Sequence, residues 1–148
     1  MVTNKLQVKY LQFLIVAEMY EESKKWLSEL SFIKDEHLFF DDIIKTYTLD
    51  LINKKHFTEN KEIITSLAES QKRNDSLMES VKVHKNNIEI LLDGIDQIKE
   101  EADYKKQHKE LIIVVSDFYK DYKNLKTELF KIVKKIIKSK KRRLLENL

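Results

Sequence analysis

Residues 26–51 read WLSELSFIKDEHLFFDDIIKTYTLDL, and the spacing of their large side chains decides the fold class. Trp26, Leu30, Ile33, His37, Phe40, Ile44, Tyr47 and Leu51 follow one another at alternating intervals of four and three residues. An α-helix turns once in 3.6 residues, so this alternation puts all eight on one face, the a/d seam of a coiled-coil-like helix. Every member is apolar or aromatic except His37, which interrupts the seam at its middle.

Working outward towards the N-terminus, Thr3 or Asn4 can cap this helix, and Leu6, Tyr10, Phe13, Ala17 and Tyr20 extend its apolar stripe. The segment EESKK at residues 21–25 is polar on every face. Either the stripe shifts there, or the helix breaks near Ser23 and the chain has four helices. In the other direction, NKKHFTEN at residues 53–60 is the clearest turn signal. Asn53 suits a helix end, Lys54 and Lys55 complement its dipole, Thr58 or Asn60 can cap the next helix, and Glu59 and Glu62 favour its first turn.

Two further seams repeat the four-three spacing. One holds Ile63, Leu67, Ser70, Asn74, Leu77, Val81, His84, Ile88, Leu91, Ile95, Ile98 and Ala102. The other holds Tyr104, His108, Leu111, Val115, Phe118, Tyr122, Leu125, Leu129, Ile132 and Ile136. A join between them at residues 101–103 follows from helix length alone, since no Gly, Pro or Asn marks it, and one continuous helix is the alternative. Gly94 lies off the seam and costs about 1 kcal/mol of helix propensity relative to alanine. The run LIIVV at residues 111–115 has strand composition, but helical spacing continues on both sides of it.

The 148 residues include no proline, no cysteine and one glycine. Little in the chain breaks a helix, and disulfides, thiolate chemistry and cysteine-based zinc sites are excluded. These readings predict an all-α fold in a single domain, residues 1–148, with helices at about 4–52, 59–102 and 104–145. The architecture expected is an elongated antiparallel three-helix bundle about 65–75 Å long. The apolar stretch LQFLIVA at residues 11–17 is too short for a membrane span and lacks a cleavage site, so it reads as core and the protein as cytoplasmic.

Three of the four histidines, His37, His84 and His108, lie one on each seam. With turns near 56 and 103, His37 faces Asn74 and His84 faces Tyr122, so the histidines stand on separate levels about 14 Å apart. That distance, and the absence of Glu-x-x-His and His-x-x-x-His spacing, argues against a hemerythrin- or ferritin-like metal site. The expectation is polar core layers formed by His37, Asn74, His84, Tyr122 and His108, which fix register as buried polar residues do in coiled coils. No metal, no other cofactor, no catalytic residue and no small-molecule substrate is inferred. With one glycine, a phosphate-cradling loop is nearly excluded.

Charge is distributed unevenly. Residues 122–148 carry 10 Lys/Arg against 2 Asp/Glu, whereas residues 1–121 carry 18 against 23. In the basic C-terminal tail, residues 131–148, Ile132, Val133, Ile136 and Ile137 form an apolar face. Lys131, Lys134, Lys135, Lys138, Lys140, Lys141, Arg142 and Arg143 supply cations. A basic amphipathic helix of this kind, at residues 131–145, can bind nucleic-acid phosphates or an anionic membrane.

Three segments, WLSELSFIKDE (residues 26–36), NNIEILLDGI (86–95) and FYKDYKNLKTELFKIV (118–133), carry a family resemblance. Over about residues 22–137 the chain resembles short flavobacterial proteins with an early W-L-S-E-L-x-F motif, a central N-N-I-D-x-L motif and a closing amphipathic helix. The resemblance implies a helical fold and supplies no active site. The function expected is therefore that of a non-enzymatic structural or interaction bundle. It would self-associate as a dimer or bind another helical protein through a second apolar stripe that includes Phe32, Phe39, Ile43, Ile112, Val114 and Tyr119.

Overall fold

The computed structural model describes residues 2–47, 57–94 and 98–148. These form three helices that pack against one another, α1 (Val2–Thr46), α2 (Phe57–Leu92) and α3 (Ile98–Glu146), with no strand among the described residues. Residues 111–115 are helical despite their β-branched composition, because the seam residues His108, Val115 and Phe118 are buried around them.

One stretch of seam and two boundaries differ from the sequence reading, while the expected unbroken first helix is present. The helix α1 is unbroken at Ser23. There the seam continues backwards as Trp26, Ser23, Met19 and Val16, all buried, while Phe13 of the expected stripe is 54% exposed. A serine is tolerated in the core because its hydroxyl donates to the Met19 carbonyl at 2.8 Å, inside its own helix. The second helix already includes Thr58 and Asn60, so neither is its cap; Leu51 and Asn53 fall outside the described residues.

The third difference has the largest consequence. The join between α2 and α3 is not at residues 101–103 but follows Leu92, and Gly94 closes the helix with φ +86°. In this left-handed conformation a Cβ is strained, and the Gly94 N–H donates to the Leu91 carbonyl at 3.3 Å. The glycine is therefore a helix terminator and not an off-seam defect.

The helices contribute to two compact units, the first made of Met1–Ser31 and Ser76–Ser116 and the second of Phe32–Asp75 and Asp117–Leu148. In the first, Val16 and Met19 of α1 meet Ile88 of α2, flanked by Tyr20, Leu91, Leu92 and Tyr104. The second holds the larger apolar cluster: Phe40 and Ile44 of α1, Leu67 of α2, and Leu129, Ile132, Val133 and Ile136 of α3. Burying such side chains stabilises by about 1.5–3 kcal/mol each.

Candidate functional site

Each unit holds a buried polar layer built around histidine. In the first unit, the early turn at Gly94 brings His84 opposite His108, and their Nε2 and Nδ1 atoms lie 2.9 Å apart. The rings stack with centroids 5.1 Å apart, and Trp26 of α1 stacks on the other side of His108 at 4.8 Å. The result is a pile of Trp26, His108 and His84 drawn from all three helices. His84 and His108 are 2% and 5% exposed. Glu22 approaches His108 from the rim, with Oε2 3.7 Å from Nε2.

The electrostatics of the pile follow from its burial. Withdrawal from water disfavours the charged imidazole, and with the neighbouring ring of His108 it pulls His84 down to about 4, against a smaller opposing effect of Gln107. His108 is lowered by burial too, with Glu22 acting in the other direction. Near neutral pH both rings are uncharged, and one N–H donates to the lone pair of its neighbour. That bond survives one added proton and not two, since two imidazolium rings would direct N–H groups at each other.

The second unit resolves its histidine differently. His37 shares a 2.9 Å hydrogen bond between Nε2 and the Ser70 hydroxyl, and its ring meets Tyr122 edge-on with centroids 5.0 Å apart. Burial lowers the His37 pKa, while the Asp75 and Glu36 carboxylates act to raise it. Burial, with the Glu36 carboxylate beside it, pushes the Tyr122 phenol well above its ordinary value. Glu36 is in turn paired with Lys126. Asn74 is fully buried in the same unit.

The five expected layer residues are thus all buried, but their pairing is not the expected one. His84 meets His108, while Ser70 and Tyr122 meet His37. The expected 14 Å between histidine levels of α2 and α3 does not hold. Sequence reasoning also missed Trp26 and Glu22 as partners of His108, a pairing that only the correct register reveals. Among the described residues no group of three or more His, Cys, Asp or Glu is arranged to hold an ion, because Glu22 faces the opposite ring nitrogen of His108.

A cavity of about 380 Å³ opens on the second unit between α2 and α3, lined in part by Ser66, Ser70, Arg73, Asp121 and Tyr122. Of its charged lining, Arg73 pairs with Asp121 at 2.8 Å and lies over the Phe118 ring, and Glu128 pairs with Lys131.

The basic end of α3 is only partly as expected. All eight cations are exposed. The apolar face assigned to the tail is not available to a membrane, however: Ile132, Val133 and Ile136 are 5%, 7% and 3% exposed in the core, and only Ile137 faces solvent. Lys131 pairs with Glu128, and Lys140 bonds the Tyr47 hydroxyl at 2.9 Å. Among the described residues no helix is long and apolar enough to cross a membrane. No family model, no curated protein and no solved structure matches this chain.

Proposed function

We propose that this chain is a non-enzymatic, antiparallel helical bundle that works by association with other proteins, first of all with a second copy of itself. The observation that carries the reading is an aromatic patch on the second unit. Phe39 and Phe130 both set their rings against that of Phe40, with centroids 5.5 and 5.1 Å away. Yet they remain 51% and 40% exposed, and Phe32, seven residues before Phe39, is 63% exposed. Phe39 and Phe130 thus flank one buried ring, and exposed aromatic surface grouped in this way favours burial against a partner. A two-fold dimer would bury this patch against its own copy.

The antiparallel arrangement is supported within the second unit, where Lys34 pairs with Asp75 and His37 with Ser70, partners that descend along α2 as α1 ascends. The titratable core groups support a non-enzymatic role, since the histidines are engaged with each other, with Ser70 and with aromatic rings. The resemblance to flavobacterial helical proteins agrees with this reading and adds no site. Of the wider stripe expected to mediate association, Ile112 and Val114 are exposed, whereas Ile43 and Tyr119 are half-buried and contribute less.

Native mass spectrometry of the purified protein tests the proposal. It is expected to give a dimer with no added mass, reduced to monomer by Phe32→Ser with Phe39→Ser. A strict monomer at high concentration, or a mass increment equal to a metal ion, would contradict it.

A further inference from the structure

The helix α3 carries a second stripe, on the side away from its seam. Positions 120, 123, 127, 131, 134, 138 and 141 step by three or four residues, and all are exposed. Six of them are lysine, Thr127 is the exception, and none is acidic. At about 100° per residue they fall within a sector of about 80°, facing away from the buried Leu129, Ile132 and Ile136. The stripe lies wholly within the second unit and is about 32 Å long at 1.5 Å per residue. Lys131 is shared with Glu128 at 3.0 Å, an exposed contact, and none of the other five lysines is in an ion pair among the described residues.

Like charges three and four residues apart on a helix repel one another, so this face destabilises the isolated helix and is relieved by an anion that spans several lysines. We propose that the stripe binds the phosphate backbone of a double-stranded nucleic acid, through charge and without reading base sequence. Its length is close to one duplex turn of about 34 Å, and lysine is a point-charge phosphate binder. None of the stripe's members is aromatic, and the exposed Phe130 at its edge sets its ring against Phe40, which favours a duplex over a single strand with bases to stack. A bilayer is disfavoured because the apolar residues that would insert, Ile132, Val133 and Ile136, are locked in the core on the opposite side. Compared with the tail alone, the site extends upstream to Lys120 and excludes Lys140, which is turned to Tyr47.

Fluorescence anisotropy of the full chain with a labelled DNA duplex of about 20 base pairs, repeated over a salt series, tests the proposal. Binding is expected to weaken about 10³-fold between about 50 and 200 mM salt. Lys123→Gln, Lys134→Gln, Lys138→Gln and Lys141→Gln combined are expected to abolish it, each change lowering the salt slope by about one. A second set, Lys25→Gln, Lys61→Gln, Lys72→Gln and Lys82→Gln, removes the same charge elsewhere and should retain tight binding. All eight positions are exposed, so both variants are expected to fold, which far-UV circular dichroism checks. Equal loss in the two sets would reduce the effect to net charge and overturn the assignment, as would absence of salt-dependent duplex binding. So would binding confined to phosphatidylserine vesicles and weakened by Ile137→Ser with Leu144→Ser, since these two exposed apolar residues flank the stripe.

Discussion

The two compact units are built from the same three helices and the same four-three spacing, and they accommodate buried histidine in opposite ways. In the second unit, His37 rests beside a hydroxyl and a phenol, near carboxylates, under the larger apolar cluster. In the first, two imidazoles are pressed together against Trp26, and one carboxylate stands at the rim. A histidine bonded to a neutral hydroxyl specifies register without a second ionisable ring beside it, whereas a layer of two like, ionisable rings does so only while they stay neutral. His37 is lowered by burial as well, so both units lose stability in acid, but the first holds two such rings against each other and should be the more acid-sensitive half.

The largest expected effect concerns the second unit's apolar cluster. Phe40→Ala removes a fully buried ring that also supports Phe39 and Phe130, and should cost about 3–5 kcal/mol in urea unfolding. Hydrogen exchange should place the loss first in the second unit. Uniform loss in both units would erase the distinction between them.

Next comes acidification. The unfolded chain binds a proton at His84 below about 6.5, its ordinary value, but the folded chain only near about 4. Stability is therefore fully present above the unfolded value and declines as pH falls through the window between the two, by on the order of 3 kcal/mol. His108, lowered by burial, acts with the same sign. Because the only tryptophan in the chain stacks on His108, Trp26 fluorescence reports the first unit directly. It should change before exchange protection around His37 is lost. His84→Phe, which keeps an aromatic stack and removes the more strongly shifted of the two rings, should reduce the response and leave the part that His108 contributes.

A smaller effect is expected at the His37 layer. Ser70→Ala leaves His37 Nε2 buried without its partner and should cost about 1–3 kcal/mol, with no change in the acid response of Trp26. Smallest is Gly94→Ala. Nothing lies within 4 Å of the added Cβ, so only the positive φ opposes it, at about 1–2 kcal/mol. Both are measured by thermal or urea unfolding, and a larger loss for Gly94→Ala than for Phe40→Ala would reverse the assumed hierarchy.

Much of the fold was legible in the sequence, because the face a helix buries is written in its spacing. From Trp26 to Ile44, from Leu67 to Ile88 and from His108 to Ile136, each seam member is buried or half-buried. What spacing does not encode is which turn of one seam meets which turn of another. His84 was expected against Tyr122 and meets His108, a displacement of 14 residues, or two heptads, after which seam still meets seam. Only the connection could distinguish the two registers, and its marker was present as the chain's lone glycine. The N-terminal stripe was misread for a related reason. Phe13 and Tyr20 are large and drew the seam to themselves, although the strict spacing back from Trp26 leads through Ser23 to Met19 and Val16. In the tail, the same isoleucines serve equally well as a core face or a lipid face, and composition does not choose between them.

The most direct test of the account is an NMR titration of the imidazole nitrogens of His84 and His108, with and without added zinc. If the pair is a neutral, structural layer, His84 stays uncharged down to about pH 4, and zinc shifts neither ring nor raises the unfolding temperature. Titration of both rings near 6.5, or a zinc-dependent shift with added stability, would contradict the account and make the pair a ligand site.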